Sequence, residues 1–232
     1  MRHELALVMP VYNEEECIEP VVTSWRSEFV SLGIDFVMLV LNDGSRDRTA
    51  EVLARFGDDP RIRVINKANS GHGPTILQGY RFGVELAEWV FQTDSDDEMK
   101  PQHFKELWLR RNQYDALFGF RQGREQSLGR SLISLVSRRA VGLLFGSGVV
   151  DVNTPYRLIR SSLLQEIVRG IPDDTFAPNL VISGMVARKK SRIYNHPVPH
   201  EGRRTGSVSI VRWKLWKAAL RSLLQTVKIS RS

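Results

Sequence analysis

Apolar and polar residues alternate in blocks along the first 120 residues. Short runs of apolar, β-forming residues, each followed by a polar loop, predict buried strands at 4–10, 34–41, 61–65, 89–93 and 116–120. Between these runs, apolar residues at helical spacing predict helices at 14–29, 47–56, 71–89 (after a glycine-rich turn) and 101–112. Strands that alternate with helices predict an α/β fold, with a mainly parallel central sheet and helices on both faces.

The second half of the chain is less regular. Its pattern predicts an Arg-rich helix at about 130–145, a strand-like segment at 149–159, a mixed stretch to 198 and a last helix. We therefore expect one domain over 1–207, made of the halves 1–120 and 121–207, followed by a basic amphipathic helix at 208–232.

Three polar loops follow predicted strands, at 10–14, 42–47 and 94–98. Because ligands bind at the carboxyl ends of parallel strands, we expect these loops to converge on one crevice. Asp94 and Asp96 could hold a hard divalent cation such as Mg²⁺, which prefers one or two carboxylates plus phosphate oxygens. A solvated loop or a helix N-cap would also explain them.

The other two polar segments admit a functional and a plain interpretation. Asp43 could accept hydrogen bonds from a nucleotide base or ribose, or it could belong to an ordinary Asp-Gly turn. Gly71 and Gly73 could let the backbone approach a phosphate, or they could form a simple loop.

Composition excludes several classes of protein. The chain has 232 residues, of which 42% are apolar and 25% charged, so a disordered or collagen-like chain is excluded. The single cysteine, Cys17, cannot form an internal disulfide. The N-terminus lacks the apolar core of a signal peptide, and no window approaches the ~20 apolar residues of a membrane span. These features predict a cytosolic chain that does not cross a bilayer.

Charge is unevenly distributed along the chain. Residues 1–186 carry a net charge of −4, whereas residues 187–232 carry +11. A basic terminal segment suits an acidic partner: nucleic acid, anionic lipid or a phosphorylated small molecule. A solvated basic helix without a partner is the alternative.

The last segment has an apolar stripe beside a basic one. The apolar stripe consists of Trp213, Trp216, Leu220, Leu223, Leu224 and Val227. Tryptophans beside a Lys- and Arg-bearing face are typical of a helix that lies in a membrane interface. Docking on the protein's own core and a homodimer contact are the alternatives.

Four motifs, in this order and spacing, resemble the inverting family 2 glycosyltransferases: residues 8–14 (VMPVYNE), 42–49 (NDGSRDRT), 69–73 (NSGHG) and 93–96 (TDSD). The resemblance implies the GT-A fold and a metal-dependent hexosyltransferase that uses Mg²⁺ or Mn²⁺ and a UDP- or GDP-sugar. It implies donor-binding roles for Pro10, Tyr12, Asn13, Glu14, Asp43, Gly71, Asp94 and Ser95. It also implies metal binding by Asp94 and Asp96, and catalytic roles for Asp96, Asp151 and Arg157. Asn42 and His72 depart from the common family pattern.

Three further segments are similar to the polyprenyl-phosphate branch of that family, the dolichol-phosphate mannose synthase type: 115–121 (DALFGFR), 151–158 (DVNTPYRL) and 200–206 (HEGRRTG). Pro155 and Val208 depart from the branch pattern. A phosphate monoester is already ionised at neutral pH, so it needs cations rather than a general base. The arginine fork suits phosphate, and the residues that we expect to bind it are Arg121, Arg157, Arg203 and Arg204. Asp151 could orient an arginine or act as a base, and Asp173 and Asp174 are rival bases for a hydroxyl acceptor.

We therefore expect sugar transfer from a nucleotide sugar to a polyprenyl (dolichyl or undecaprenyl) phosphate, in cell envelope biogenesis. The protein would act peripherally on the inner face of the cell membrane, with a membrane protein or a second copy as partner. The rivals are transfer to a hydroxyl of a cell-surface glycan, a nucleotidyltransferase and a nucleic-acid-binding module. The last of these leaves the acidic strand-end loops without a role.

Overall fold

A computed structural model describes residues 2–122, 139, 142, 145–199 and 225 of the protein. The strands within these residues are β1 (His3–Val11), β2 (Phe36–Asn42), β3 (Ile62–Asn66), β4 (Ala87–Gln92), β5 (Ala116–Gln122), β6 (Arg157–Arg160) and β7 (Ile193–Pro199). The helices are α1 (Ile18–Ser31), α2 (Thr49–Ala54), α3 (His72–Leu86), α4 (Phe104–Arg110), α5 (Ser161–Arg169) and α6 (Pro178–Arg188). Single 3₁₀ turns, Pro101–His103 and Arg111–Gln113, flank α4.

The described strands form one sheet in the order β3-β2-β1-β4-β6-β5-β7. β1 pairs in parallel with β2 and β4, and β2 pairs in parallel with β3. Only β6 runs antiparallel to its neighbours, β4 and β5, while β5 pairs in parallel with β7. The expected α/β class with a mainly parallel sheet is therefore confirmed. Strands from both sides of residue 120 share this sheet, and the division into functional halves stays a prediction.

Helices cover both faces of the sheet, as predicted. β1 is buried on both sides, and its alternate residues enter different hydrophobic clusters. Val8 packs on the face that carries Tyr80 of α3 and Val181 of α6, whereas Leu7 packs on the face of Trp25 in α1. Burial on both faces explains why β1 is continuously apolar rather than alternating, as is typical of a central parallel strand.

The register of the strands brings several loops to one edge of the sheet. Val11 at the end of β1 pairs with Asn42 at the end of β2, and Asn42 pairs with Asn66 at the end of β3. β4 and β5 run in the same direction, and the antiparallel β6 begins at Arg157, opposite the last residue of β4 (Gln92) and opposite Phe118 of β5. The segments that follow β1 to β5 and the segment before β6 therefore lie along one edge, where parallel sheets bind ligands.

The structure corrects one predicted strand. The segment 149–159 was expected to be strand-like, but β6 begins only at Arg157. The preceding residues turn, because the Asp151 carboxylate accepts the Asn153 N–H at 3.3 Å and the Asp151 carbonyl accepts the Thr154 N–H at 3.3 Å. The mixed stretch up to 198 contains α5, α6 and β7. None of the helices in the described part of the chain is long and apolar enough to cross a membrane.

Candidate active site

The loop after β4 carries the acidic residues of the site. A pocket is lined by residues of this loop and of two neighbouring segments: Thr93, Asp94, Asp96, Glu98, Met99, Arg121 and Pro155. Oδ1 of Asp94 accepts a hydrogen bond from Gln92 Nε2 at 3.0 Å, and His72 Nε2 lies 3.6 Å from the same oxygen. The neighbouring Asp97, which has a φ of +60°, forms an ion pair with Lys100 and is not among the residues that line the pocket. The structure thus brings Asp94 and Asp96 together in one pocket.

The loops after β1, β2 and β4 converge, as the sequence predicts. The Asn13 N–H donates to Ser45 Oγ at 3.0 Å, and the Asn13 side-chain oxygen accepts the Arg46 N–H at 2.8 Å. The loop after β4 joins them because Cys17 Sγ lies 3.6 Å from the carbonyl oxygen of Ser95. These contacts hold three strand-end loops in one crevice.

The residues predicted to bind the nucleotide differ in exposure. Pro10 is a buried residue of β1, and Glu14 and Ser95 are buried as well. The Glu14 N–H donates to Thr49 Oγ1 at 2.8 Å, which ties the loop after β1 to α2. Tyr12, by contrast, is 38% exposed. The buried residues shape the loops, and Tyr12 offers an accessible ring at the crevice.

Asp43 is almost completely buried, and both of its carboxylate oxygens have partners within the protein. Oδ1 forms an ion pair with Lys67 and accepts the Ser70 N–H at 2.8 Å, while Oδ2 accepts the Gly71 N–H at 2.9 Å. Burial by itself would raise the pKa of Asp43, but the hydrogen bonds from Lys67, Ser70 and Thr75 and the Lys67 charge lower it below its ordinary value. In this arrangement Asp43 organises the backbone at 67–71 rather than presenting an open acceptor.

Two glycines of the 69–73 segment serve different purposes. Gly71 has φ +95°, and a Cβ there would meet open space, so the backbone conformation requires glycine. A Cβ on Gly73 would lie 2.2 Å from the carbonyl oxygen of Phe176. Gly73 is therefore needed for close packing of α3 against the loop before α6.

Arg121, near the end of β5, forms a bidentate ion pair with Asp151. Its Nε lies 2.8 Å from Asp151 Oδ2 and its Nη2 3.0 Å from Oδ1. The two side chains are only 15% and 20% exposed. Burial would raise the pKa of Asp151, but hydrogen bonding and charge from Arg121 lower it overall. Of the two roles considered for Asp151, this geometry favours orienting an arginine over acting as a base.

The structure corrects the expectation that Arg157 binds the acceptor phosphate. Arg157 is completely buried, and its guanidinium donates to the carbonyl oxygens of Thr154 (2.9 Å), Asn179 (3.0 Å) and Val152 (3.3 Å) and to Ser183 Oγ (3.3 Å). These acceptors belong to the loop before β6 and to α6. With its donors directed at protein oxygens, Arg157 joins β6 to α6 and does not line the pocket.

Sequence reasoning missed two residues of the site. Lys67 follows β3 and contacts Asp43; the rule that parallel strands end at one edge could have identified it. Gln92 is the last residue of β4 and contacts Asp94, but it resembles any polar strand-end residue in the sequence. His72 was noted only as a departure from the family pattern, and the structure places it beside Asp94.

Several predictions lie outside the described residues. They include Arg203, Arg204, most of the predicted helix at 130–145 and nearly all of the predicted helix at 208–232. Gln225 is described: its Oε1 accepts the Phe176 N–H at 2.9 Å. The rival base Asp173 is exposed and forms an ion pair with Arg81 of α3.

The fold and the crevice define an α/β protein in which a pocket lined by acidic side chains lies at the carboxyl edge of a mainly parallel sheet. The chain belongs to glycosyl transferase family 2, whose model matches residues 6–168.

Curated relatives agree with this assignment. An undecaprenyl-phosphate 4-deoxy-4-formamido-L-arabinose transferase of Pectobacterium atrosepticum is 28% identical over 193 residues, covering 82% of this chain and 58% of the relative. The enzyme of the same name from Enterobacter sp. is 26% identical over 88% of this chain and 62% of its own length. The chain thus spans about three fifths of these relatives.

A solved structure shows the same fold. Glucosyl-3-phosphoglycerate synthase from Mycobacterium tuberculosis, in complex with Mn²⁺, UDP and glucosyl-3-phosphoglycerate, superposes with a TM-score of 0.70 at 17% identity, covering 99% of this chain and 80% of that one. The GT-A fold expected from the sequence is confirmed.

Proposed function

We propose that the protein transfers a sugar, with inversion, from a nucleotide-sugar donor to a polyprenyl phosphate. The observation that carries the proposal is the position of Arg121, a fixed guanidinium in the same pocket as Asp94 and Asp96. The pocket therefore combines carboxylates suited to a cation-bound diphosphate with a cation suited to a phosphate acceptor. The named activity of the curated relatives, transfer to undecaprenyl phosphate, supports the same conclusion.

The donor would bind along the loops after β1, β2 and β4. The exposed Tyr12 and Asn13 belong to the loop after β1, and Asp43 holds the Gly71 backbone through a hydrogen bond. Asp94 and Asp96 offer hard oxygen ligands, which fit Mg²⁺ or Mn²⁺ completed by diphosphate oxygens and water. Among the described residues no cluster of three or more His, Cys, Asp or Glu side chains could hold a metal, so the donor would have to supply ligands. A divalent cation bound there stabilises the negative charge of the departing diphosphate.

The acceptor phosphate would bind at Arg121, since a guanidinium fork matches two phosphate oxygens. Asp151 holds the guanidinium through Nε and Nη2. A phosphate would therefore bind the other edge, which carries Nη1 and the second N–H of Nη2. Arg203 and Arg204 would add further cations. A phosphate oxygen then attacks the anomeric carbon, the bond from that carbon to the diphosphate breaks on the opposite face, and the configuration inverts.

A phosphate acceptor fits this pocket better than a hydroxyl does. A hydroxyl would need a general base close to the attacking oxygen. Asp151 is a poor base because Arg121 occupies both of its oxygens and its pKa is lowered. Asp173 forms an ion pair with Arg81. A phosphate monoester is already ionised at neutral pH and needs no base.

A lipid acceptor places the reaction at a membrane surface. We propose that the protein acts peripherally on the cytoplasmic face of the cell membrane, through the basic and tryptophan-bearing segment 208–232. Each basic residue near an anionic leaflet can add about 1 kcal/mol of attraction. A membrane protein partner or a second copy would complete the assembly.

The test is a donor screen with UDP-, GDP- and dTDP-sugars, Mn²⁺ or Mg²⁺, and undecaprenyl or dolichyl phosphate in detergent. We expect an acid-labile lipid-phosphate sugar to form from one donor and Asp96→Asn to reduce its formation strongly. The matched control is Asp35→Asn, an exposed aspartate that contacts His3 away from the pocket. A stable glycosidic product on a glycan hydroxyl, with no lipid-phosphate sugar from any donor, would contradict the proposal.

A further inference from the structure

A chain of buried polar side chains ends at Asp94. Gln92, the last residue of β4, is completely buried, and its Nε2 lies 3.0 Å from Asp94 Oδ1. On its other side, Gln92 Oε1 lies 3.0 Å from Nδ2 of the buried Asn179 in α6. Asn179 Oδ1 lies 3.0 Å from the hydroxyl of Tyr80 in α3. Side chains from two helices and a strand thus converge behind the acidic loop.

The carboxylate determines the direction of every hydrogen bond in this chain. An ionised Asp94 only accepts, so Gln92 must present its amide nitrogen to it. The oxygen of Gln92 then faces Asn179, which must present its own nitrogen. The oxygen of Asn179 therefore faces Tyr80, whose hydroxyl donates. Each of these side-chain oxygens thus faces a donor, and each side chain is oriented by its neighbour; the Tyr80 hydroxyl also lies 3.5 Å from Gln92 Oε1.

The surroundings keep this arrangement rigid. Arg157 Nη1 donates to the backbone carbonyl of Asn179 at 3.0 Å, which fixes the start of α6. Tyr80 is completely buried, and burial raises its pKa well above the ordinary value, so it stays a neutral donor. A buried network of this kind has few alternative arrangements, because each broken bond would leave an unpaired polar group.

The network holds one oxygen of Asp94 and leaves the other available. Within the part of the chain that the structure describes, Oδ1 has the contacts with Gln92 and His72, whereas Oδ2 accepts no hydrogen bond. Such an arrangement is typical of a ligand carboxylate that is oriented by an outer partner.

We propose that Gln92 is a positioning residue of this enzyme: the relay from Tyr80 through Asn179 and Gln92 fixes the Asp94 carboxylate, so that Oδ2 is presented to the cation-bound diphosphate of the donor. The proposal rests on the donor-binding role of Asp94 given above. It assigns a functional reason to a buried glutamine that neither the motifs nor the family resemblance singles out.

The first experiment examines the position of Asp94 directly. Gln92→Met keeps the length of the side chain and removes the donor. Crystal structures of the wild type and of Gln92→Met without ligand should show the Asp94 carboxylate turned away from its wild-type orientation in the variant. An unchanged carboxylate in Gln92→Met would overturn the proposal.

The second experiment measures binding of a defined probe. UDP and GDP, each with Mn²⁺, are titrated calorimetrically into the wild type and Gln92→Met. Outer partners of metal ligands typically contribute about 10- to 100-fold in affinity, and we expect a loss in that range. Ser183→Ala is the matched control, because Ser183 is buried and bonds to Arg157 and Val152 but does not touch the relay. Equal affinity in Gln92→Met and Ser183→Ala would overturn the proposal.

Tyr80→Phe provides a milder variant should Gln92→Met fail to fold. It removes only the hydroxyl that starts the relay, and we expect a smaller loss of probe affinity in the same direction. The two proposals can fail separately. If the wild type binds neither probe while the Asp94 carboxylate still turns in Gln92→Met, the donor-binding function is wrong, and only the orientation of Asp94 by Gln92 stands. If the probes bind equally well to all variants, the positioning role is wrong and donor binding stands.

Discussion

Arg121 and Asp151 form a two-pronged ion pair between the end of β5 and the loop before β6, with N–O distances of 2.8 and 3.0 Å. The two residues are 30 positions apart in sequence, and Arg121 lines the same pocket as Asp94 and Asp96. A guanidinium held in this way has a fixed plane, which is the property that distinguishes arginine from lysine as a phosphate ligand.

Substitutions of Arg121 should therefore change the kinetic parameters for the acceptor more than those for the donor. We expect Arg121→Met to lower kcat/KM for polyprenyl phosphate about 10- to 100-fold, since a hydrogen bond to a charged group contributes about 1.5–3 kcal/mol. Arg121→Lys keeps the charge but not the fork, and it should recover only part of the activity. Initial rates at varied acceptor and at varied donor separate the two effects. A change confined to the donor KM would place the acceptor phosphate elsewhere.

Asp43 and Lys67 should act as one unit. We expect Asp43→Asn and Lys67→Met each to weaken donor binding, because each breaks the ion pair that shapes the backbone at 67–71. The double variant should lose little more than either single variant, since coupled residues are not additive. Calorimetric titration with UDP or GDP and Mn²⁺ measures this, with Glu19→Gln as control, which removes only a surface pair with Arg55. Fully additive losses would show that the two residues act separately.

Arg157 should behave as a structural residue. We expect Arg157→Met to lower the free energy of unfolding by about 2 kcal/mol or more, because it removes several hydrogen bonds to buried carbonyl groups. Urea unfolding followed by circular dichroism measures the loss. The acceptor KM of the folded fraction should be unchanged. A stable variant with a raised acceptor KM would restore the phosphate-binding role.

Gly71 and Gly73 should respond differently to alanine. Gly71→Ala meets no steric obstacle but must adopt φ +95°, which we expect to cost about 1–2 kcal/mol of stability. Gly73→Ala would place a Cβ 2.2 Å from the Phe176 carbonyl oxygen, so backbone must shift and the loss should be larger. Thermal unfolding of the two variants shows which substitution costs more stability. Equal losses would contradict the different roles assigned to them.

Asp59 should contribute to stability in a pH-dependent manner. The hydrogen bonds from Arg61 and Arg26 hold its pKa well below the ordinary 3.8, despite opposing burial. A carboxyl whose pKa is depressed by folding stabilises the protein above its unfolded-state pKa, and that contribution is lost as the pH falls below 3.8 towards the folded-state value. The free energy of unfolding should therefore fall more steeply with acid in the wild type than in Asp59→Asn. Parallel curves below about pH 4 would contradict this.

Much of the fold could be predicted because it depends on local pattern. The apolar runs that became β1 and β2 are buried on both faces along nearly all of their length, and such runs are typical of central parallel strands. The start of β6 at Arg157 rather than at 149 could not be predicted, because a side chain holds the preceding residues in a turn. The Asp151 carboxylate accepts hydrogen bonds from the following turn and from Arg121. Neither contact produces a periodic pattern in the sequence.

The sequence by itself determined the class of fold, the family and the acidic pair that follows β4, because each of these depends on residue types at short spacing. Only the tertiary structure decided which polar residues face the pocket and which support it. Arg121 and Arg157 are both arginines at motif positions, yet one lines the pocket and the other is completely buried among carbonyl groups. Gln92 contacts Asp94 on one side and Asn179 on the other, and Asn179 lies 87 residues further along the chain. Burial and long-range hydrogen bonding arise only when distant segments pack, so no local pattern could distinguish these roles.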